Sequence, residues 1–233
     1  MNSPFFNQLG VPTVTLFRLD SSIRTTGSIS RAVADTAEAA WLAEHPEGEI
    51  IRRDLGVDPL PSDAWASAVT ASWGPVEDRS EKQGDAVALA ARLGDELLAA
   101  DSYLFAVPLY NWGISQHVKT WIDLLITDPR FGSGSQTPLA GRSGLLVIAR
   151  GGAYGEGTPK FGWDHATAYL TRILGEVWGL DLRIVEAELT LAEVVPAMAD
   201  LKPLAAELLA SAHDAAATHG RDLGEQAAAL VTA

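Results

Sequence analysis

Short apolar runs that alternate with helical patterns predict an α/β fold: an open, parallel five-stranded sheet with helices on both faces. Three observations carry this. Strand-like and helix-like stretches alternate five times along the chain. Parallel strands need right-handed crossovers, and the intervening helical stretches supply them. No internal repeat or low-complexity linker interrupts the alternation, so the 233 residues read as one domain spanning 13–233. Residues 1–12 read as an extension ahead of it, packed on a partner subunit or mobile.

The elements follow in order. Thr13 to Leu19 is rich in β-branched and apolar residues and reads as the first strand. A polar loop, Asp20 to Gly27, precedes a helix that opens at Ser28 or Ser30 and runs to about Ala43. Glu49 to Arg53 is a short, charged strand suited to a sheet edge. Asp58-Pro59-Leu60-Pro61 breaks the chain, and Ser62 to Gly84 is a long, weakly periodic loop holding Trp65 and Trp73. An Ala/Leu-rich helix covers Ala86 to Ala100, and Tyr103 to Val107 is the third strand. A helix over His117–Leu125 follows, then a mobile loop from Arg130 to Gly141. Gly144 to Ala149 is the fourth strand, Tyr169 to Trp178 a helix, and Leu182 to Ala187 the fifth strand. An Ala-rich helix over Met198–Thr218 closes the fold.

Composition excludes several classes of function. Lys and Arg total 17 against 30 Asp and Glu, a net charge of −13. That field disfavours nucleic acid and anionic membranes. A phosphate ligand is still compatible, because backbone N–H groups at a helix start can hold one. The chain has no cysteine, which removes disulfides, thiolate nucleophiles and thiolate metal sites. This fits a reducing cytoplasm. No signal peptide is recognisable, and no window of 18 apolar residues suggests a membrane span. The five histidines show no metal-ligand spacing, and no G-x-G-x-x-G, P-loop or G-x-S-x-G pattern occurs.

Three loops carry chemistry. Pro108-Leu109-Tyr110-Asn111-Trp112-Gly113 leaves the carboxyl end of a buried strand, where open α/β sheets bind ligands. Its aromatic faces and amide suit a flat heterocycle with a polar edge; a turn with its aromatics tucked against the sheet is the competing reading. Ser22, Ser28 and Ser30 flank the first strand–helix junction, where hydroxyls and N–H groups can wrap a phosphate; a capping serine is the competing reading. Arg150-Gly151-Gly152-Ala153-Tyr154-Gly155-Glu156-Gly157 follows the fourth strand, and its glycines let backbone amides approach a ligand; a flexible crossover is the competing reading. A five-stranded unit of this kind is either flavodoxin-like or half of a dinucleotide fold. In the strand order 2-1-3-4-5, the three loops converge beside the switch point. Asp164-His165 could supply a proton, or could be a helix-start acid beside a solvated histidine.

Together these residues resemble the FMN-dependent NADH-azoreductases, also called FMN-dependent NADH:quinone oxidoreductases, of the flavodoxin-like superfamily. The resemblance runs from about Val14 to Ala187. Ser21-Ser22-Ile23 with Ser28-Ile29-Ser30 is similar to the family's phosphate loop, and Asp58-Pro59-Leu60-Pro61 to its proline turn. Pro108 to Ser115 resembles its P-M-Y-N-F-x-I-[SP] loop, and Ala149 to Tyr154 its S-R-G-G loop.

The resemblance implies a flavodoxin-like sheet of order 2-1-3-4-5 and bound FMN, with NADH or NADPH as co-substrate and a quinone or azo compound as acceptor. It implies that Ser22, Ser28, Ile29 and Ser30 hold the FMN phosphate. It implies that Pro108, Leu109, Tyr110, Asn111 and Trp112 line the ring, with Ala149, Arg150, Gly151, Gly152 and Tyr154 on the same ring. No residue is assigned as catalytic. It also implies a homodimer with sites at the interface, and Trp65, Trp73 and Trp112 are expected around one mouth. The expected reaction is two-electron transfer by a ping-pong scheme. An electron carrier for a protein partner, or a biosynthetic reductase acting on one metabolite, are the alternatives. Ile29 and Ala149 stand where the family usually has polar side chains, and 62–84 matches no family pattern.

Overall fold

Strands β1 (Thr15–Asp20), β3 (Ser102–Pro108) and β4 (Ser143–Ala149) are buried along their whole length. A parallel strand covered on both faces requires this, which is why these runs are continuously apolar rather than alternating. Strands β2 (Glu49–Asp54) and β5 (Asp181–Ala187) are partly exposed and form the edges. All four pairings are parallel, in the order β2-β1-β3-β4-β5. The structure, a computed structural model, describes residues 13–132, 134 and 136–232, so the expected extension 1–12 lies outside the described residues.

Consecutive residues point to opposite faces of the sheet. Leu16 joins a core with Val33, Trp41, Leu104, Leu145 and Leu223, beneath helices α1 (Ile29–Glu44) and α6 (Lys202–Thr232). Phe17 joins the opposite core with Leu93, Phe105, Trp121, Leu146 and Trp178. Helices α2 (Ala64–Thr70), α3 (Glu81–Leu98), α4 (Gln116–Leu125) and α5 (Thr167–Leu170) contribute to that side. Arg18 interrupts the apolar run of β1. Its buried guanidinium meets Asp20 at 2.9 Å, Asp35 at 2.7 Å and Glu38 at 2.9 Å, the pairing a buried charge requires.

Four elements differ from the sequence expectation. The segment Ser62 to Gly84 is no bare loop: it holds α2, a 3₁₀ turn at Val76–Asp78 and the start of α3. Helix α3 begins at Glu81, not Ala86, because Ser80 and Gln83 close a capping box. The helix expected over Tyr169–Trp178 is one α turn that widens into a π-helix, Thr171–Val177. Helix α6 starts after a 3₁₀ segment, Pro196–Leu201, and passes Thr218 to reach Thr232, since Leu223 and Ala227 still add to the core. Among the described residues no helix is long and apolar enough to cross a membrane.

Candidate functional site

Strand β1 lies between β2 and β3, so the strand order reverses there and a crevice opens at the carboxyl ends. The loops after β1, β3 and β4 meet around a cleft of about 550 Å³. Ser22, Ser28, Ile29, Ser30, Pro108, Leu109, Tyr110, Asn111, Trp112, Ala149, Gly151, Gly152 and Tyr154 all line it.

At one end is the start of α1. Ser28 has the extended backbone of an N-cap residue, yet its side chain makes no capping bond; its hydroxyl lies 3.3 Å from Ser30 Oγ. The first-turn N–H groups of α1 therefore have no capping acceptor from this serine. Open amides, two adjacent hydroxyls and the helix dipole suit a phosphate. Arg24 and Lys160 also line the cleft, adding positive charge to an acidic chain.

At the other end, Tyr110 and Gly113 exchange two backbone hydrogen bonds of 3.0 Å around Asn111 and Trp112. Both central residues have positive φ, 48° and 64°. That is the geometry of a two-residue hairpin turn, unusual for tryptophan and the kind of strain that collects at functional sites. The Trp112 carbonyl accepts from His165 N–H at 2.9 Å, and its ring meets Trp163 edge-on at 5.7 Å. Trp112 is half-exposed, so the loop holds its aromatic ring out rather than against the sheet. Tyr110 Oη ties this turn to the β1 loop, lying 3.3 Å from Ser22 Oγ and accepting Ile23 N–H at 3.2 Å.

The glycine loop after β4 is braced from behind. Leu189, Thr190 and Leu191 donate backbone N–H groups to the carbonyls of Gly152, Arg150 and Gly151 at 3.0–3.2 Å. A Cβ on Gly151 would lie 2.7 Å from Leu191 Cδ1, so any larger residue there would require the Leu191 side chain to move. With their carbonyls engaged behind, Gly151 and Gly152 donate their own N–H groups to no backbone acceptor in the loop. They suit the polar edge of a flat ligand.

Arg150 corrects the sequence expectation: it does not line the cleft. Its N–H donates to Ala187 O at 2.8 Å. Its buried guanidinium reaches Asp164 at 2.7 Å, Glu186 at 2.6 Å and Glu188 at 3.2 Å. The guanidinium is the buried partner of this cluster, and turning it to the cleft would break its three ion pairs. Burial alone would lower its pKa, but Glu186 and Asp164 hold it above the usual value. Glu188 also accepts Tyr154 N–H at 2.8 Å, so Arg150 anchors the loop indirectly.

Asp164 is likewise committed. It accepts from Ala166 N–H, Thr167 N–H and Thr167 Oγ1 at 2.8, 2.9 and 2.6 Å. Burial would raise its pKa, but these bonds and Arg150 hold it below the usual carboxylate value. His165 is exposed and is not a lining residue. Trp65 and Trp73, expected at the mouth, are exposed but do not line the cleft. Conversely, Thr190, Leu191, Val195 and Met198 do line it and escaped the sequence reading. Their only local signal is the irregular stretch between β5 and α6. Among the described residues no cluster of His, Asp or Glu could hold a metal.

The sequence profile described as flavodoxin-like fold matches residues 15–217. An FMN-dependent NADH:quinone oxidoreductase of Frankia casuarinae is 41% identical over 189 residues, covering 79% of this chain and 88% of the relative. Its counterpart in Streptomyces avermitilis is 36% identical over 216 residues, covering 92% and 99%. The crystal structure of an azoreductase from Bacillus anthracis superposes with a TM-score of 0.72 at 25% identity, over 90% of this chain and 99% of that one. The chain therefore belongs to the flavodoxin-like family of FMN-dependent NADH:quinone oxidoreductases and azoreductases.

Proposed function

We propose that this oxidoreductase binds FMN in the cleft and transfers two electrons from NADH, or from NADPH, to a quinone or azo compound. The observation that carries the reading is the cleft itself, which joins an uncapped helix start to a strained aromatic turn and two glycine amides. Ser28 and Ser30, with Ser22 and the Ile29 N–H, would hold the phosphate. Pro108, Leu109, Tyr110, Asn111 and Trp112 would line the ring, and Ala149, Gly151, Gly152 and Tyr154 would meet its opposite edge. Bound FMN supplies the hydride chemistry. The protein positions and shields. Leu191, Val195 and Met198 keep one wall apolar and exclude water. The histidine beside the cleft is solvated and Asp164 is fully engaged, so protons come from water. Residues 13–233 act as one FMN-binding domain, and two chains pair in the active form.

The open side of the cleft offers one flat ligand a place at a time, so donor and acceptor alternate. The purified protein should show a flavin absorption band, with FMN released on denaturation. Steady-state NADH oxidation with a small quinone should give parallel double-reciprocal lines, the ping-pong signature. Intersecting lines would defeat the one-site scheme. Bound FMN without turnover would favour an electron carrier.

A further inference from the structure

Arg31 stands in the first turn of α1; neither it nor Asp54 lines the 550 Å³ cleft, but both line an adjoining cavity of about 430 Å³ that shares Ser28 and Ile29 with it. Its guanidinium grips Asp54, the last residue of β2, with two contacts of 2.6 and 2.7 Å. The same Nη2 donates to the carbonyl of Ser22 at 3.0 Å. Asp54 Oδ1 also accepts the N–H groups of Gly56 and Val57, at 3.0 and 3.2 Å, which folds the β2 turn under the β1 loop. A Cβ on Gly56 would lie 2.0 Å from Ser22 O. The Ser22 carbonyl is thus pinned between a guanidinium and a bare α-carbon. The N–H of the same peptide unit, on Ile23, is held by Tyr110 Oη at 3.2 Å.

We propose that Arg31 and Asp54 are positioning residues: their ion pair, seated on Gly56, fixes the Ser22–Ile23 peptide and so the loop that receives the cofactor phosphate. The inference rests on the FMN reading above. Arg31 and Asp54 offset each other's charge, and Asp20, 3.8 Å from Arg31, is itself paired with Arg18 at 2.9 Å, so the contribution of the pair is geometry and not attraction. Both partners stay ionised near neutral pH. Hydrogen bonding to Asp54 outweighs burial and raises the Arg31 pKa, while Arg31 and the two N–H groups outweigh burial and lower that of Asp54. Lysine cannot replace the arginine, since one ammonium does not span both carboxylate oxygens and the carbonyl together.

The test compares FMN with riboflavin, which shares the ring and lacks the phosphate. Binding is titrated by flavin fluorescence on apo-protein, with the melting temperature measured alongside. Arg31→Lys, Asp54→Asn and Gly56→Ala should each weaken FMN about tenfold, one decade of affinity. Riboflavin affinity should stay within about twofold. Asp54→Asn decides the sign. It removes a negative charge near a phosphate, so electrostatics alone would tighten FMN, whereas lost positioning weakens it. Tighter FMN binding by Asp54→Asn would overturn the proposal. So would equal losses for FMN and riboflavin, which would mark a general structural role. A wild-type protein that does not prefer FMN to riboflavin would overturn the FMN reading itself, and that is seen before any variant is made.

Discussion

Ser28 is a helix-start serine that does not cap its helix. Its hydroxyl is turned toward Ser30 instead, and both are buried beside the cleft. A charge-assisted hydrogen bond to phosphate is worth roughly 1.5–3 kcal/mol. Ser28→Ala with Ser30→Ala should therefore weaken FMN by about a hundredfold or more, at 1.4 kcal/mol per decade. Unchanged affinity in a fluorescence titration would return both serines to an ordinary helix start. Both serines are legible in the sequence because they stand at the start of the helix that follows the first strand and its loop. The backbone amide expected of Arg150 at the ring is instead donated to Ala187 O, on the neighbouring strand β5, a pairing that local sequence does not reveal. Leu191, Val195 and Met198 were invisible for the same reason: only the return of the chain past β5 brings them to the β4 loop.

At the scale of elements, periodicity exposed the buried strands, and capping chemistry decided where helices begin. Ser80-x-x-Gln83 was present in the sequence as a capping box and would have placed the start of α3 correctly. Helix α2, seven residues long, is too short to show a helical period. The seam between α1 and α6 could not be read at all, because it depends on which glycine faces which backbone. A Cβ on Gly220 would lie 2.2 Å from Ala37 O, a backbone atom that cannot rotate away. Alanine is the better helix former by about 1 kcal/mol, but overpacking costs about 1–3 kcal/mol. With backbone as the obstacle the cost wins, and Gly220→Ala should lower the melting temperature, by about 2–4 °C for each kcal/mol of net cost. Gly84, exposed within α3, has nothing within 4 Å of its missing Cβ. There Gly84→Ala should raise the melting temperature, because only the helix-propensity gain applies. A differential scan in which both variants move the same way would refute the seam argument.

For the whole molecule, a net charge of −13 does not say which carboxylates are engaged. The fold decides that. Burial pushes the carboxyl groups of Glu38, Asp54 and Asp128 up, but their arginine partners outweigh it and hold all three below 4.5, 3.8 and 3.8. Between the folded value and that ordinary value the unfolded chain binds more protons than the native one. Their stabilisation is thus complete above about pH 5 and is lost as the pH falls through each folded value. Asp128→Asn should be less stable than wild type near neutrality, and the gap should narrow as the pH falls below 3.8; a constant gap would show that ionisation of Asp128 contributes nothing. Trp112, Phe161 and Trp163 are 45%, 62% and 50% exposed, and Trp112 lines the cleft with Trp163 against its edge. Trp65 and Trp73 form no part of that rim. Apolar surface concentrated at the mouth of a site is usually covered by a partner, and a second copy of the chain would complete the cleft. Light scattering at micromolar concentration should give twice the chain mass. Trp163→Glu should shift the protein toward monomer and lower NADH oxidation, whereas Trp73→Glu, away from the rim, should leave both unchanged. A monomer mass for the wild-type protein would remove the shared-site arrangement, because the aromatic rim would then be functional surface of a single chain.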